Sequence, residues 1–437
     1  MDDLLTIILL IAILILISTG IAFWSFKWYE FAIFIVVLSP LISAFFVPDV
    51  TVTLGDQNPT IGSYIRISML LLMGCVGIIK YIKLKTLNQY KLPVHFILLG
   101  VFLLFSLMST SYSINQKVTF IRSITFFAFF FFLLGMDSWI TDRYQLNNIL
   151  NVIFWAFIIC LIINLVAYPI FPEKVWYFRA ENRFKGLWSH PNEMGSFCML
   201  SYPIMIWKYT NCDSPKKWLI VLCIIAMIFL HLLTGSRTSL IASITGICFW
   251  LFVLKHRGKL ILFIGITSIL LILLLFVGPS NLTRDVPEST TTLTGRTEIW
   301  RAAAVFFAER PILGYGYEVS GKIFDDPRFY DEKYKLWSGS SSVSLHSGYL
   351  SVGIGVGIFG LFLFYFPLLL PFWRSKNIED LEYKALLLTI LLMCLLTNIT
   401  ESYISGPSNI GSLILWIAWV MAGKVSFLHS IKTSEAI

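Results

Sequence analysis

Apolar runs of about twenty residues, the length of a membrane-spanning helix, recur along the whole chain between short basic or turn-rich stretches. The pattern predicts membrane segments near 4–24, 28–47, 65–83, 94–111, 118–136, 149–170, 192–208, 218–234, 238–255, 259–277, 346–372, 384–398 and 409–427. That makes thirteen, or twelve if one of the first two, separated only around Lys27, is re-entrant. In lipid every backbone polar group must be satisfied within the spanning structure, and segments this long and apolar do so as helices. The fold class expected is therefore an all-α polytopic membrane protein. A helix bundle over 1–277 is followed by one large extracytoplasmic loop region over 278–345, and the helices of 346–437 complete the bundle. The first run, Leu4–Trp24, follows an acidic Met1-Asp2-Asp3 rather than a basic region, so it reads as a retained helix and not a cleaved signal.

Composition supports the class. Hydrophobic residues make up 57% of the 437 and charged residues only 13%, against about 25% charged in a soluble domain. The mean hydropathy is +0.79. A net charge of +8 would suit nucleic acid, but the positions of the charges argue otherwise. Lys80, Lys83, Lys85 and Lys91, then Lys208, Lys216 and Lys217, then Lys255, Arg257 and Lys259, then Arg374 and Lys376 fall in alternate loops, and the tail adds Lys424 and Lys432. That is the signature of a cytoplasmic face. The expected partner is a lipid bilayer, with no nucleic acid, and the loops 48–64, 171–191, 235–237, 278–345 and 399–408 face outward. Of seven cysteines, six lie in apolar runs and Cys212 in a short basic loop; none has metal-site spacing.

The outer loop opens with the turn-rich GPSNLTRDVPESTTTLTG. In the following TGRTEIWRAAAVFFAERPILGYG, the residues Ile299, Trp300, Ala303, Phe306 and Phe307 recur at helical spacing, and Pro311 with Gly314 stops the run. The spacing predicts an amphipathic surface helix with Arg296 in its first turn. A loop this long usually carries function.

The stretch SLHSGYLSVGIGVGIFG at 344–360 sets a histidine before a glycine-rich apolar segment. If His346 rides on a helix of about 100° per residue, Leu350, Gly353, Gly357 and Gly360 share its face. Gly353 and Gly357 also make a small-xxx-small pair for helix packing. The expectation is a clamped helix with a rigidly held imidazole at its outer end. His95, His231, His256 and His429 read as structural, while His190 in SHPNE faces outward.

Four arginines complete the candidate chemistry. Arg183 lies in ENRFKGLWSHPNEMG, Arg237 in LLTGSRTSL, Arg296 in LTGRTEIW, and Arg122 about a turn inside an apolar run. An arginine at mid-membrane costs about 2.5–3.5 kcal/mol even on the lenient insertion scale, so such charges usually serve function. Guanidinium forks bind phosphate oxygens bidentately, and helix N-termini add backbone donors. The four together predict a pyrophosphate site.

On these residues the chain resembles the O-antigen ligase/polymerase superfamily of bacterial polysaccharide assembly. The matching stretches are RFKGLWSHPNEMG, GSRTSL, TGRTEIW with ERPILGYG, and a histidine closing the large outer loop. The ligase-type pattern of His, then Asn/Ser/Gln, nine residues, Gly, two residues and Gly/Thr/Tyr fits His346-Ser347 through Gly357-Ile358-Phe359-Gly360. The resemblance implies a metal-independent, inverting membrane glycosyltransferase without cofactor, in the inner (cytoplasmic) membrane with its site facing the periplasm or exterior. Its donor would be an undecaprenyl-pyrophosphate-linked glycan. His346 would be the catalytic base toward an acceptor sugar hydroxyl, and Arg183, Arg237, Arg296 and Arg122 would bind the pyrophosphate. A glycan acceptor makes the protein an O-antigen or exopolysaccharide polymerase, the favoured reading; a lipid A–core acceptor makes it a lipopolysaccharide ligase. Other polysaccharide-assembly proteins are candidate partners.

The residues leave three rivals. A lipid-linked oligosaccharide flippase would tend to show internal repeats and midplane polar sites; here the unusual residues gather at one face. A membrane O-acyltransferase also uses a histidine, and a structural scaffold leaves the arginines unexplained.

Overall fold

The structure is a computed structural model that describes residues 29–45, 61–86, 91–177, 183–212, 215–277, 296–325, 345–374, 378, 380–407 and 409–435. The segment expected at 4–24, the turn-rich stretch 278–295, and residues 326–344 lie outside the described residues. The chain is an all-α polytopic membrane protein. Its helices run Tyr29–Phe45 (α1), Ile61–Thr86 (α2), Val94–Met108 (α3), Gln116–Trp139 (α4), Arg143–Ile170 (α5), Pro191–Thr210 (α6) and Lys217–Thr234 (α7). They continue as Arg237–Val253 (α8), Arg257–Val277 (α9), Arg296–Glu309 (α10), Gly348–Arg374 (α11), Leu381–Thr400 (α12) and Ile410–Glu435 (α13). Seven of the described helices are long and apolar enough to cross a membrane, and Tyr29–Ile42, Arg237–Val253 and Ile410–Val425 are shorter apolar helices.

Aromatic side chains dominate the main core. Phe96, Phe102, Phe126, Phe129, Phe132, Trp416 and Trp419 are fully buried. Rings from α3, α4, α11 and α13 meet edge to face, as Phe102 does with Phe364 and Phe126 with Trp416. Such contacts add about 0.5–1.5 kcal/mol each beyond area burial. His95 packs there too, its ring edge-on to Trp419.

A second, smaller core lies beneath α10, made by Ile299, Ala302, Ala303 and Phe306 with Tyr315, Leu345 and Ile354. The helical spacing read from the sequence thus corresponds to a helix whose apolar stripe faces inward.

The glycine-rich stretch departs from expectation. His346 is not on a helix: it precedes α11 with a left-handed φ of 46°, a conformation non-glycine residues rarely adopt. Nor is α11 continuous. It breaks at Gly357, whose φ of 65° and ψ of −172° fall in a region that is essentially glycine-only. The break releases backbone groups that a regular helix would pair internally, and the segment after α10 takes them up. Tyr315 N–H donates to the Ile354 carbonyl (2.9 Å), Gly316 N–H to Gly355 (2.8 Å), and Ile358 N–H to Pro311 (2.8 Å). A Cβ on Gly357 would lie 2.1 Å from the Ile312 carbonyl oxygen. The close backbone approach expected of this glycine is real, but its partner is the turn that follows α10 and not another helix. Gly353 and Gly360 are buried, and their nearest neighbours are side chains, Leu361 and Phe307 for the first, Val356 and Phe105 for the second.

Candidate active site

Four helices begin around one point. The N-termini of α6, α8, α10 and α11 meet the C-terminus of α12, and Glu401, the first residue past α12, stands among them. Its carboxylate accepts from Arg296 Nη2 at 2.8 Å and from Asn192 Nδ2 at 2.7 Å, both through Oε1. Its Oε2 lies 3.7 Å from His346 Nδ1, an ion-pair separation longer than a hydrogen bond. The Glu401 side chain is 10% exposed, Arg296 15% and His346 34%. The histidine is thus the member most open to a substrate.

Main-chain contacts hold this geometry. Gly348 N–H donates to the Glu401 carbonyl (3.1 Å), tying the entry of α11 to the exit of α12. Trp300 Nε1 donates to the Leu345 carbonyl (3.0 Å), which fixes the residue before the histidine onto α10. Ser351 and Ser402 share a hydroxyl hydrogen bond of 3.0 Å.

Arg183 approaches from the other side. It lies on a two-residue strand, Arg183–Phe184, paired antiparallel with Trp176–Tyr177. It is buried at 7% exposure, and it donates through Nε to the Thr234 carbonyl (2.7 Å) and through Nη2 to Asn192 Oδ1 (2.8 Å). Arg183, Asn192 and Glu401 therefore form one relay. Arg237 is the first residue of α8 and is exposed. Its neighbour Thr238 accepts a hydrogen bond from Thr400, just before Glu401. Below the α7–α8 turn, His231, read from the sequence as structural, bridges Tyr202 (3.0 Å) and Ser239 (2.8 Å).

His190 also belongs to the cluster. It caps α6, accepting at Nδ1 from the Asn192 N–H (3.1 Å). An imidazole can accept there only when neutral. Burial pushes His190 down to about 4, opposed by the Glu401 carboxylate and assisted by Arg183, His346 and Arg296. Burial alone would raise the Glu401 carboxyl, but the His346 ring, the Arg296 guanidinium and His190 outweigh it and hold the group below its ordinary range.

Arg183, Arg296 and His346 thus surround Glu401 directly or through Asn192, Arg237 begins the helix beside them, and Arg122 does not join them. It lines a different pocket with Arg66. The residues the sequence reading passed over are Glu401, Asn192 and Arg66. Glu401 is a lone acid at the end of an apolar run, in TNITESY, with no spacing to any other charge; its one visible signal was its place in an outward loop.

The Glu401 carboxylate faces the Arg296 guanidinium directly, Arg183 through Asn192, and four helix N-termini, each carrying about half a positive charge. The site is electropositive, with a histidine open at its edge. That combination suits an anionic leaving group next to a proton acceptor.

No curated protein matches the chain. Residues 222–365 match a family model described as O-antigen ligase, a range that holds Arg237, Arg296, His346 and the three glycines but not Arg183, Asn192 or Glu401. Over that segment, which supplies the site's histidine and two of its arginines, the chain is similar to the O-antigen ligase family.

Proposed function

We propose that this protein is an inverting, metal-independent glycosyltransferase of the inner membrane, acting on the outer side. It would move a glycan from an undecaprenyl-pyrophosphate carrier to a sugar hydroxyl. The observation that carries the reading is the Arg296–Glu401–His346 constellation at the meeting of four helix N-termini. His346 takes the proton of the acceptor hydroxyl as its oxygen bonds to the anomeric carbon. The bond from that carbon to the pyrophosphate oxygen breaks with its electron pair, and undecaprenyl pyrophosphate leaves. Glu401 faces Nδ1 and stabilises the imidazolium as it forms, the role a carboxylate plays behind many catalytic histidines. Arg296 and Arg237 match the charge growing on the leaving group. Arg183 holds Asn192 and through it the carboxylate, so its contribution is placement.

The favoured acceptor is a second lipid-linked glycan, which makes the enzyme a polymerase. The description of the matching family favours a ligase, with lipid A–core as acceptor. One assay separates them: purified protein is given a lipid-linked repeat unit with and without lipid A–core. Longer lipid-linked glycan without core marks a polymerase. Product only when core is present marks a ligase. Neither product would overturn the transferase reading.

A further inference from the structure

The turn after α10 presents apolar residues to the surroundings of the protein. Ile312 is 65% exposed and Leu313 47%, and Pro311 before them is exposed as well. They do not stand alone. The Pro311 carbonyl accepts from Ile358 N–H, and the Leu313 carbonyl from the Tyr112 hydroxyl (3.0 Å), so the turn lies against α11 and the end of α3. Those helices expose Ile358, Phe359 and Phe362 on one side and Leu104 and Met108 on the other, each at half its surface or more. Both helices belong to segments long and apolar enough to span a membrane, so these side chains face acyl chains. The turn continues that surface. Single apolar residues on a surface mean little, but a continuous patch marks a contact.

Two rulers set its depth. Ile358 lies about 24 Å from Arg374, the basic residue that ends α11, at 1.5 Å per residue. Phe359 packs edge to face on Phe105 (5.3 Å), and Phe105 stands about 17 Å from Val94 at the opposite end of α3. The hydrocarbon core is about 30 Å thick, and tilt only shortens the distance travelled across it. Both measures fall short of that thickness, so the residues bonded to Ile358 lie inside the core and not above it.

An irregular segment at that depth must pair its backbone polar groups within the protein. This one has the partners. Gly314 N–H donates to the Arg310 carbonyl (3.1 Å), the Tyr315 carbonyl accepts from Ile114 N–H (3.0 Å), and the broken α11 takes the N–H groups of Tyr315 and Gly316. Pro311 has no N–H to satisfy. On the α10 side the chain turns polar at once. The Arg310 guanidinium lies 4.7 Å from the centre of the Tyr315 ring, whose hydroxyl donates to Glu309 (3.0 Å). Basic and aromatic side chains gather in this way at the membrane–water boundary.

We infer that Pro311–Leu313 is a re-entrant element. Although it belongs to the large outer loop, it is seated against the break of α11, in the acyl chains of the leaflet nearer the candidate site. Its partner is lipid hydrocarbon. α10 therefore runs from Arg296 in the site to an anchor in the membrane about 20 Å away, and the anchor sets the height of the site against the lipid headgroups. The insertion rests on packing and depth, and it stands whether or not the protein transfers glycans.

The test uses the full wild-type chain in nanodiscs whose phosphatidylcholine carries a photoactivatable diazirine midway along one acyl chain. After irradiation, adducts are mapped by peptide mass spectrometry. They are expected on Ile312 or Leu313 as well as on Phe359 and Phe362. Adducts on the α11 residues with none on the turn overturn the insertion. Loss of the turn adducts when undecaprenyl pyrophosphate is added would make this surface a specific carrier groove. Loss when each disc holds two copies of the protein would make it a contact between copies. Either result overturns bulk lipid as the partner. Accessibility supplies a second readout. Ile312→Cys should react with a membrane-impermeant maleimide about tenfold or more slower than Arg301→Cys on the exposed face of α10, because a thiol in hydrocarbon stays protonated and the thiolate is the nucleophile. Each site is read from its own peptide, so the native cysteines do not interfere. Equal rates would put the turn in water and sink the proposal.

Discussion

His346 carries the proton in the proposed reaction, and positioned proton transfer is ordinarily worth about 10²–10⁴-fold. His346→Ala should therefore cut turnover on that scale while binding of undecaprenyl pyrophosphate changes little, because the arginines hold the anion. Glu401→Gln keeps the shape and the Arg296 contact but removes the charge behind the imidazole. It should lower kcat more than it raises donor KM; a full kcat in this variant would leave Glu401 a mere counter-ion. Stability gives a second residue-scale expectation. His190 titrates near 4 when folded against about 6.5 when unfolded. Between those values the unfolded chain binds the extra proton, so stability is full above about 6.5 and falls as pH drops toward 4. Melting curves of wild type and His190→Asn should diverge across that window, and parallel curves would show that the cap is not proton-linked.

At the scale of elements, the break in α11 is the feature to perturb. Gly357→Ala would place a Cβ 2.1 Å from the Ile312 carbonyl oxygen on a backbone conformation whose strain alone costs about 1–3 kcal/mol. Gly357→Ala should lower the melting temperature and the activity together, whereas His346→Ala should lower activity alone. A stable, active alanine variant would mean that α11 can run straight without harm to the site. The same break explains what periodicity could and could not disclose. The helices and the inward stripe of α10 were legible because burial repeats at helical spacing. The kink was not, because four glycines in a short apolar run read equally well as helix packing. Only the partner segment Pro311–Gly316, distant in sequence, selects between the two.

Over the whole molecule, the alternation of basic loops predicts that residues 278–345 face outward and that the C-terminus is cytoplasmic. A reporter active only outside the cytoplasm, fused at Asn281, should be active, and one at the C-terminus silent; the reverse pattern would place the candidate site on the wrong side of the membrane for an outward donor. The arginines were legible because charge is conspicuous in a chain this apolar. Glu401 was not, since one acid beside a membrane segment is ordinary until the fold sets it against Arg296. The position of Glu401 late in the chain has a consequence for biosynthesis. A ribosome delivers Arg183, Arg237, Arg296 and His346 well before the Glu401 carboxylate, and the loop bearing it is tied further along to α13, where Ser412 donates to the Gly406 carbonyl. If the proposed reaction holds, a half-inserted chain would be chemically silent, and lipid-linked sugar would be drawn on only by protein whose insertion is nearly complete.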